Sequence, residues 1–160
     1  MKVYLIRHAI AEERHVFAQS GRPDSERPLT SKGRDRMEKS ADSLITSEPS
    51  IDIFLQSPLV RSQQTVDVLK ARYKKAKVIT TDLLSPGHSA AKLFEYLESF
   101  HGQNSVALVG HEPDMGQFLS WMLFRQATDH FPMKRGSIAK LDLYQDRRCY
   151  LKWFVRPKFF

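Results

Sequence analysis

The chain has 160 residues, a formal net charge of +7 and one cysteine, Cys149. That length suits one ordinary domain over residues 1–160, able to bury roughly two-thirds of its unfolded surface without disulfide staples. A lone cysteine makes no internal disulfide, which suits a reducing compartment. The apolar run Met1–Ile6 is too short for a signal peptide, and no stretch approaches the length of a membrane span. The expectation is a cytoplasmic protein with no membrane partner. The densest basic segment, Lys70–Lys77, is short and lacks the interleaved aromatics of a nucleic-acid surface, so no nucleic-acid partner is expected. Excess positive charge fits an anionic substrate better, phosphate above all.

Lys2–Ile6 reads as a buried strand that stops at charged residues. His15–Arg27 reads as irregular, with Gly21, Pro23 and Pro28 as breakers. Thr30 or Ser31 caps a helix to about Thr46, with Met37, Ala41, Leu44 and Ile45 as its apolar stripe. Ile51–Gln56 is a second strand, followed by a helix with Ser57 as cap and Pro58 in its first turn. Val66, Leu69 and Tyr73 face inward. Lys77–Thr80 is a third strand, and Asp82–Ser89 a loop with a Pro86-Gly87 turn. Ala90–Phe100 is a helix burying Leu93, Leu97 and Phe100. Ser105–Val109 is nearly all apolar, as a central parallel strand should be.

A further helix begins near Pro113 and buries Met115, Phe118, Leu119, Met122 and Leu123. Ile138–Tyr144 and Tyr150–Val155 alternate apolar and polar residues and form a hairpin through Gln145–Arg148. Trp121 and Trp153 fall on apolar stripes and read as core. The end Lys158-Phe159-Phe160 either packs on the sheet, forms an interface or is disordered. Strands alternating with helices argue for a three-layer α/β/α sandwich with a mostly parallel sheet.

In open α/β sheets ligands bind beyond the carboxyl ends of the strands. The first strand ends at Arg7-His8, the second leads through Ser57-Pro58 to Arg61, and the fourth ends at Gly110-His111. If these strands are parallel neighbours, two arginines and two histidines converge on one rim. Helix N-termini beside them add partial positive charge. That is a site for a dianion. His15, His88, His101 and His130 have no ligand-like spacing with acidic or cysteine clusters, so no metal is expected.

Three blocks carry a resemblance. Leu5-Ile6-Arg7-His8 with Arg27-Pro28-Leu29-Thr30-Ser31-Lys32-Gly33 is the first. Ser57-Pro58-Leu59-Val60-Arg61-Ser62-Gln63-Gln64-Thr65 is the second, and Val109-Gly110-His111-Glu112-Pro113 the third. Together they resemble the histidine phosphatase superfamily, which includes cofactor-dependent phosphoglycerate mutases. The short length and the forms around Arg27 and His111 look most like small bacterial phosphohistidine phosphatases of the SixA type, which act in signal transduction.

The resemblance implies a phosphoglycerate mutase-like fold and a phosphatase that needs no cofactor and no metal. It implies His8 as nucleophile, Arg7 and Arg61 clamping the phosphoryl oxygens, His111 as a supporting donor and Arg27 bordering the pocket. Arg27 also reads as a loop charge packed against the first helix. The proton donor is not apparent; Glu112, His88 and Asp82 are the candidates. A missing acid favours a phosphohistidine in a protein as substrate, because a phosphoramidate nitrogen can be protonated before cleavage. A small phosphorylated metabolite on the same chemistry is the alternative, and a non-catalytic phospho-ligand binder a third reading.

Overall fold

Strands that are apolar at every position have to be covered on both faces. β4 (Ser105–Gly110) is buried throughout and β1 (Lys2–Arg7) is buried over Val3–Ile6. In the computed structural model, which describes residues 1–157, both lie at the centre of a six-stranded sheet. Its order is β3 (Lys77–Thr80), β2 (Ile53–Gln56), β4, β1, β5 (Ile138–Leu143), β6 (Cys149–Val155). The first four strands are mutually parallel, and β5 runs antiparallel to both β1 and β6. The tail Lys158-Phe159-Phe160 lies outside the described residues.

Strand periodicity divides the core in two. Val3, Leu5, Leu55 and Leu108 point to one face and meet α4 (Ala90–Glu98) and α5 (Asp114–Phe124) through Leu93, Leu97, Phe118 and Leu119. Tyr4, Ile6, Phe54 and Val109 point to the other and meet α2 (Ser31–Ser47) and α3 (Val60–Lys70) through Met37, Leu44, Val66 and Leu69. The result is the expected three-layer α/β/α sandwich, phosphoglycerate mutase-like in plan. No helix among the described residues is long and apolar enough to cross a membrane.

Several expectations need correction. The 15–27 segment is not wholly irregular. It contains α1 (Arg14–Ala18), anchored by buried Phe17, and a 3₁₀ turn at Asp24–Glu26. A single helical turn is too short to leave a period in the sequence. Asp82–Leu84 is likewise a 3₁₀ turn rather than open loop. β2 starts at Ile53, although Ile51 is still buried. α4 stops at Glu98, two residues before Phe100. α3 starts at Val60, and Ser57 does not cap it. Ser57 N–H instead donates to Val109 O (3.2 Å), which prolongs the strand pairing. Trp121 and Trp153 are partly exposed and cover the core edges rather than fill them.

The block around Thr30 has a packing explanation. Thr30 caps α2, accepting from Gly33 N–H at 3.0 Å. Thr30 N–H and Oγ1 both reach Ile10 O, at 3.0 and 3.3 Å. Gly33 faces the same carbonyl so closely that a Cβ there would lie 2.0 Å from Ile10 O. The start of α2 is therefore clamped onto the backbone two residues past His8. At its other end, buried Glu48 accepts from Tyr4 Oη (2.7 Å) and from Lys2 and Lys140. Burial would raise this carboxyl, but the donors from Lys140, Tyr4 and Lys2 hold it below the usual range.

Gly33→Ala should force α2 away from Ile10. We expect a loss of at least about 2 kcal/mol in urea unfolding, typical of an overpacked backbone contact.

Candidate active site

The sheet order β2-β4-β1 decides where the site lies. Arg7 pairs in register with Gly110, and Gln56 with Val109. The residues that follow those pairs, His8, His111 and Ser57, therefore emerge side by side. His8 N–H donates to Gly110 O at 3.0 Å. The two imidazole rings sit 5.0 Å apart between centroids, tilted by 53°.

A cavity of about 210 Å³ opens at this end, lined by Arg7, His8, Arg27, Arg61, His111 and Glu112, with Glu13, Arg14, Pro86 and Arg135 toward its mouth. It gathers all four residues expected to carry chemistry, together with Arg27. Of the three proton-donor candidates only Glu112 lines it. Asp82 sits in its 3₁₀ turn, and the exposed His88 bonds Ser85 O through Nδ1 (3.0 Å). Neither lines the cavity. A larger groove of about 690 Å³ opens elsewhere, at the amino ends of β2, β3 and β4 around Asp52, Lys77 and Asn104, and holds none of the expected residues.

His8 is held in a defined tautomer. Its Nδ1 lies 2.7 Å from Ala9 O. A carbonyl only accepts, so Nδ1 carries the hydrogen and Nε2 keeps the lone pair. Burial, His111, Arg61 and Arg7 push the His8 imidazole down to about 2, against the Ala9 carbonyl that favours its charged form. The ring is neutral at working pH. His111 is pushed down to about 3, by burial first and then by Arg61. Its Nε2 meets Ser57 Oγ at 2.9 Å, while buried Nδ1 has no protein partner among the described residues.

The arginines are buried donors with capacity left over. Arg61 is 2% exposed, yet its Nε has no protein partner among the described residues; nor has Arg7 Nε. Arg7 is fixed through Nη1 to Met133 O (2.6 Å). Arg61 is fixed through Nη1 to Asp24 O (2.8 Å) and Nη2 to Asp24 Oδ2 (3.2 Å). Burial lowers the Arg61 guanidinium to about 10, with Asp24 opposing, so it stays charged. Arg27 bonds Asp24 Oδ1 (2.8 Å) and Glu12 O (2.7 Å) and lines the cavity. Buried, unpaired donors on the arginines that line a small cavity are costly unless an acceptor satisfies them. An oxyanion does so.

A family model for the histidine phosphatase superfamily (branch 1) matches residues 3–85, half of the chain. The chain belongs to this superfamily. An uncharacterized protein of Picosynechococcus is 29% identical over 168 residues, covering 97% of this chain and 99% of that protein. The structure of the protein histidine phosphatase SixA complexed with tungstate superposes with a TM-score of 0.86 at 24% identity, covering 99% of each chain. A candidate phosphohistidine phosphatase SixA from Agrobacterium tumefaciens gives 0.82 at 25% identity, over 98% of this chain and 97% of that one. Alpha-ribazole phosphatase from Shigella flexneri gives 0.78 at 15%, over 98% and 97%. The histidine phosphatase fold is thus shared by proteins named for a phosphoprotein substrate and for a small-molecule one.

Residues beyond the expected ones hold this histidine phosphatase pocket together. Ala9 N–H donates to Thr65 Oγ1 (3.0 Å), Ser62 Oγ donates to Val109 O (2.9 Å), and Leu29 N–H donates to Gln64 Oε1 (2.8 Å). The polar side chains of the second block are therefore ties from α3 to the other blocks. Sequence reading missed Asp24 as well. Its only local signal is an acid three residues before Arg27.

The depressed histidines have a consequence for stability. Their folded values lie below the ordinary value near 6.5, so the unfolded chain takes up protons first as pH falls. The stability they contribute is complete above about pH 6.5 and is lost as pH falls below it. Urea midpoints measured between pH 7.5 and 5 should decline, with a slope of up to about 1.4 kcal/mol per pH unit for each histidine. His8→Asn and His111→Asn should each flatten the decline.

Proposed function

We propose that this chain is a phosphohistidine phosphatase that works through a phosphoenzyme on His8 and draws its charge stabilisation from arginines rather than a metal. The observation that carries the reading is the His8 tautomer: Nδ1 donates to Ala9 O, leaving the lone pair on Nε2 in a residue that lines one cavity with Arg7 and Arg61. Nε2 attacks phosphorus; the N–P bond forms as the bond to the leaving group breaks. Water then attacks the phosphohistidine and releases inorganic phosphate. Arg7 and Arg61 hold the phosphoryl oxygens, and Arg27 borders them. His111, neutral, donates through Nδ1–H when Ser57 Oγ–H donates to its Nε2. The similar SixA structure is complexed with tungstate, an oxyanion, which supports this reading.

The single domain lies over residues 1–160, and the setting is the cytoplasm. The one thiol fits a reducing compartment: burial pushes Cys149 up to about 12, which leaves it unreactive. The substrate is a phosphohistidine side chain on a partner protein, since its leaving nitrogen can be protonated before cleavage and needs little from the enzyme.

One observation favours the small-molecule alternative. Glu112 lines the cavity, and its carboxyl is raised above the usual range, by burial chiefly and by Asp114, against donors from Met133 and Gly116 and the Arg7 charge. An acid so placed can protonate an alkoxide leaving group. Glu112→Gln separates the two. With a phosphohistidine protein, kcat should change less than about threefold; with a phosphomonoester it should fall about 100-fold, the usual worth of general-acid catalysis. Wild-type turnover of sugar phosphates or phosphoglycerate faster than of a phosphohistidine protein would reject the first reading.

Brief incubation with labelled substrate should trap an acid-labile, base-stable phosphoenzyme. Label that survives acid, or that persists in His8→Ala, would remove His8 as nucleophile. Vanadate and tungstate should inhibit competitively, and chelators should leave the rate unchanged.

A further inference from the structure

Asp24 stands behind the phosphate pocket rather than in it. It is absent from the cavity wall, yet three arginines of that wall, Arg14, Arg27 and Arg61, bond to it. Its carboxylate takes Arg27 Nε at 2.8 Å and Arg14 Nε at 3.3 Å through Oδ1, and Arg61 Nη2 at 3.2 Å through Oδ2. Its main-chain carbonyl takes Arg61 Nη1 at 2.8 Å. Arg61 thus spends both terminal nitrogens on one residue. Its Nε remains without a protein partner among the described residues, as a buried donor.

The contacts are unequal in consequence. Arg14 is mostly exposed, so its share is screened and contributes little. Arg61 is nearly fully buried, and a guanidinium there needs a counter-charge to remain in place. Arg61 lies on α3 and Asp24 in the 3₁₀ turn before Arg27, 37 residues away in sequence. The turn itself rests on Arg27, which ties Asp24 to Glu12 O. The carboxylate therefore joins the first block of the pocket to the second.

We infer that Asp24 is a positioning residue of the phosphate pocket: by holding both Nη groups of Arg61, and Arg27 beside it, it fixes the plane in which the buried guanidinium meets the phosphoryl group. This rests on the proposed reading in which Arg61 holds the phosphoryl oxygens. Asp24 transfers no proton and touches no substrate. It sets the aim of a group that does.

Charge and aim predict opposite results, which makes the inference testable. Removing a carboxylate near an anion site leaves it more positive, and Coulomb attraction alone would tighten anion binding. Loss of aim would weaken it. Tungstate affinity is to be measured by calorimetry on the whole protein for wild type, Asp24→Asn, Asp24→Glu, Arg61→Lys and the double variant Asp24→Asn with Arg61→Lys, with kcat and KM alongside. Asp24→Asn should bind tungstate roughly tenfold more weakly or worse, the scale of a lost charged hydrogen bond. Asp24→Glu, which keeps the charge but shifts it, should fall between wild type and Asp24→Asn. The double variant should be no weaker than Arg61→Lys alone, because the two residues act through one contact.

Equal or tighter tungstate binding in Asp24→Asn, with Arg61→Lys impaired, overturns the positioning role. So does full additivity in the double variant. Unchanged tungstate binding in Arg61→Lys would instead overturn the phosphate-pocket reading itself. A purely structural role would lower the melting temperature while leaving affinity and KM of the folded protein unmoved, and that too rejects the inference. Should Asp24→Asn not fold, Asp24→Glu decides: wild-type affinity there overturns it.

Discussion

Burying Arg61 at the carboxyl end of a parallel sheet constrains nearly everything around it. A guanidinium that is 2% exposed keeps its charge only if partners replace the water it has lost. Asp24 supplies a carboxylate and a carbonyl, and that still leaves Nε unspent. Arg7 repeats the pattern, fixed through Nη1 to Met133 O with Nε unspent. The protein thus lines a small cavity with positive charge and leaves part of the arginines' hydrogen-bonding capacity unused among the described residues. A dianion is the ligand that such an arrangement stabilises most.

The same positive charge determines the state of the histidines. His8 and His111 are buried next to arginines, so both are driven well below neutrality and carry no charge at working pH. For a nucleophile that is an advantage, because the lone pair is always available. The Ala9 carbonyl then selects which nitrogen holds it. Catalysis on this plan is mostly positioning and electrostatics, prepared before substrate arrives.

Positioning has to be rigid to be useful, and the polar residues of the three motif blocks provide that rigidity. Ser62, Gln64 and Thr65 tie α3 to the backbone at Val109, Leu29 and Ala9. Gly33 lets α2 press on Ile10. Each tie joins segments that are distant in sequence, so the spacing of the motifs records tertiary contacts as much as chemistry.

The order and type of the main elements were legible in the sequence, as was the gathering of Arg7, His8, Arg61 and His111 at one cavity. These were legible because apolar runs mark strands, and a charged or imidazole side chain directly after such a run marks a strand end. The sequence also pointed to a dianion as the ligand to expect there. It overestimated Ser57 as a helix cap, since the competing use of its hydroxyl by His111 depends on a contact across 54 positions. Tertiary contacts were needed for the lateral order β2-β4-β1, the presence of Glu112 in the cavity wall without Asp82 and His88, the tautomer of His8 and the place of Asp24 behind Arg61. The physical reason is common to all four. Local periodicity reports which face of an element is buried, whereas strand neighbours, desolvation and hydrogen-bond partners are set by chain segments that meet only after folding.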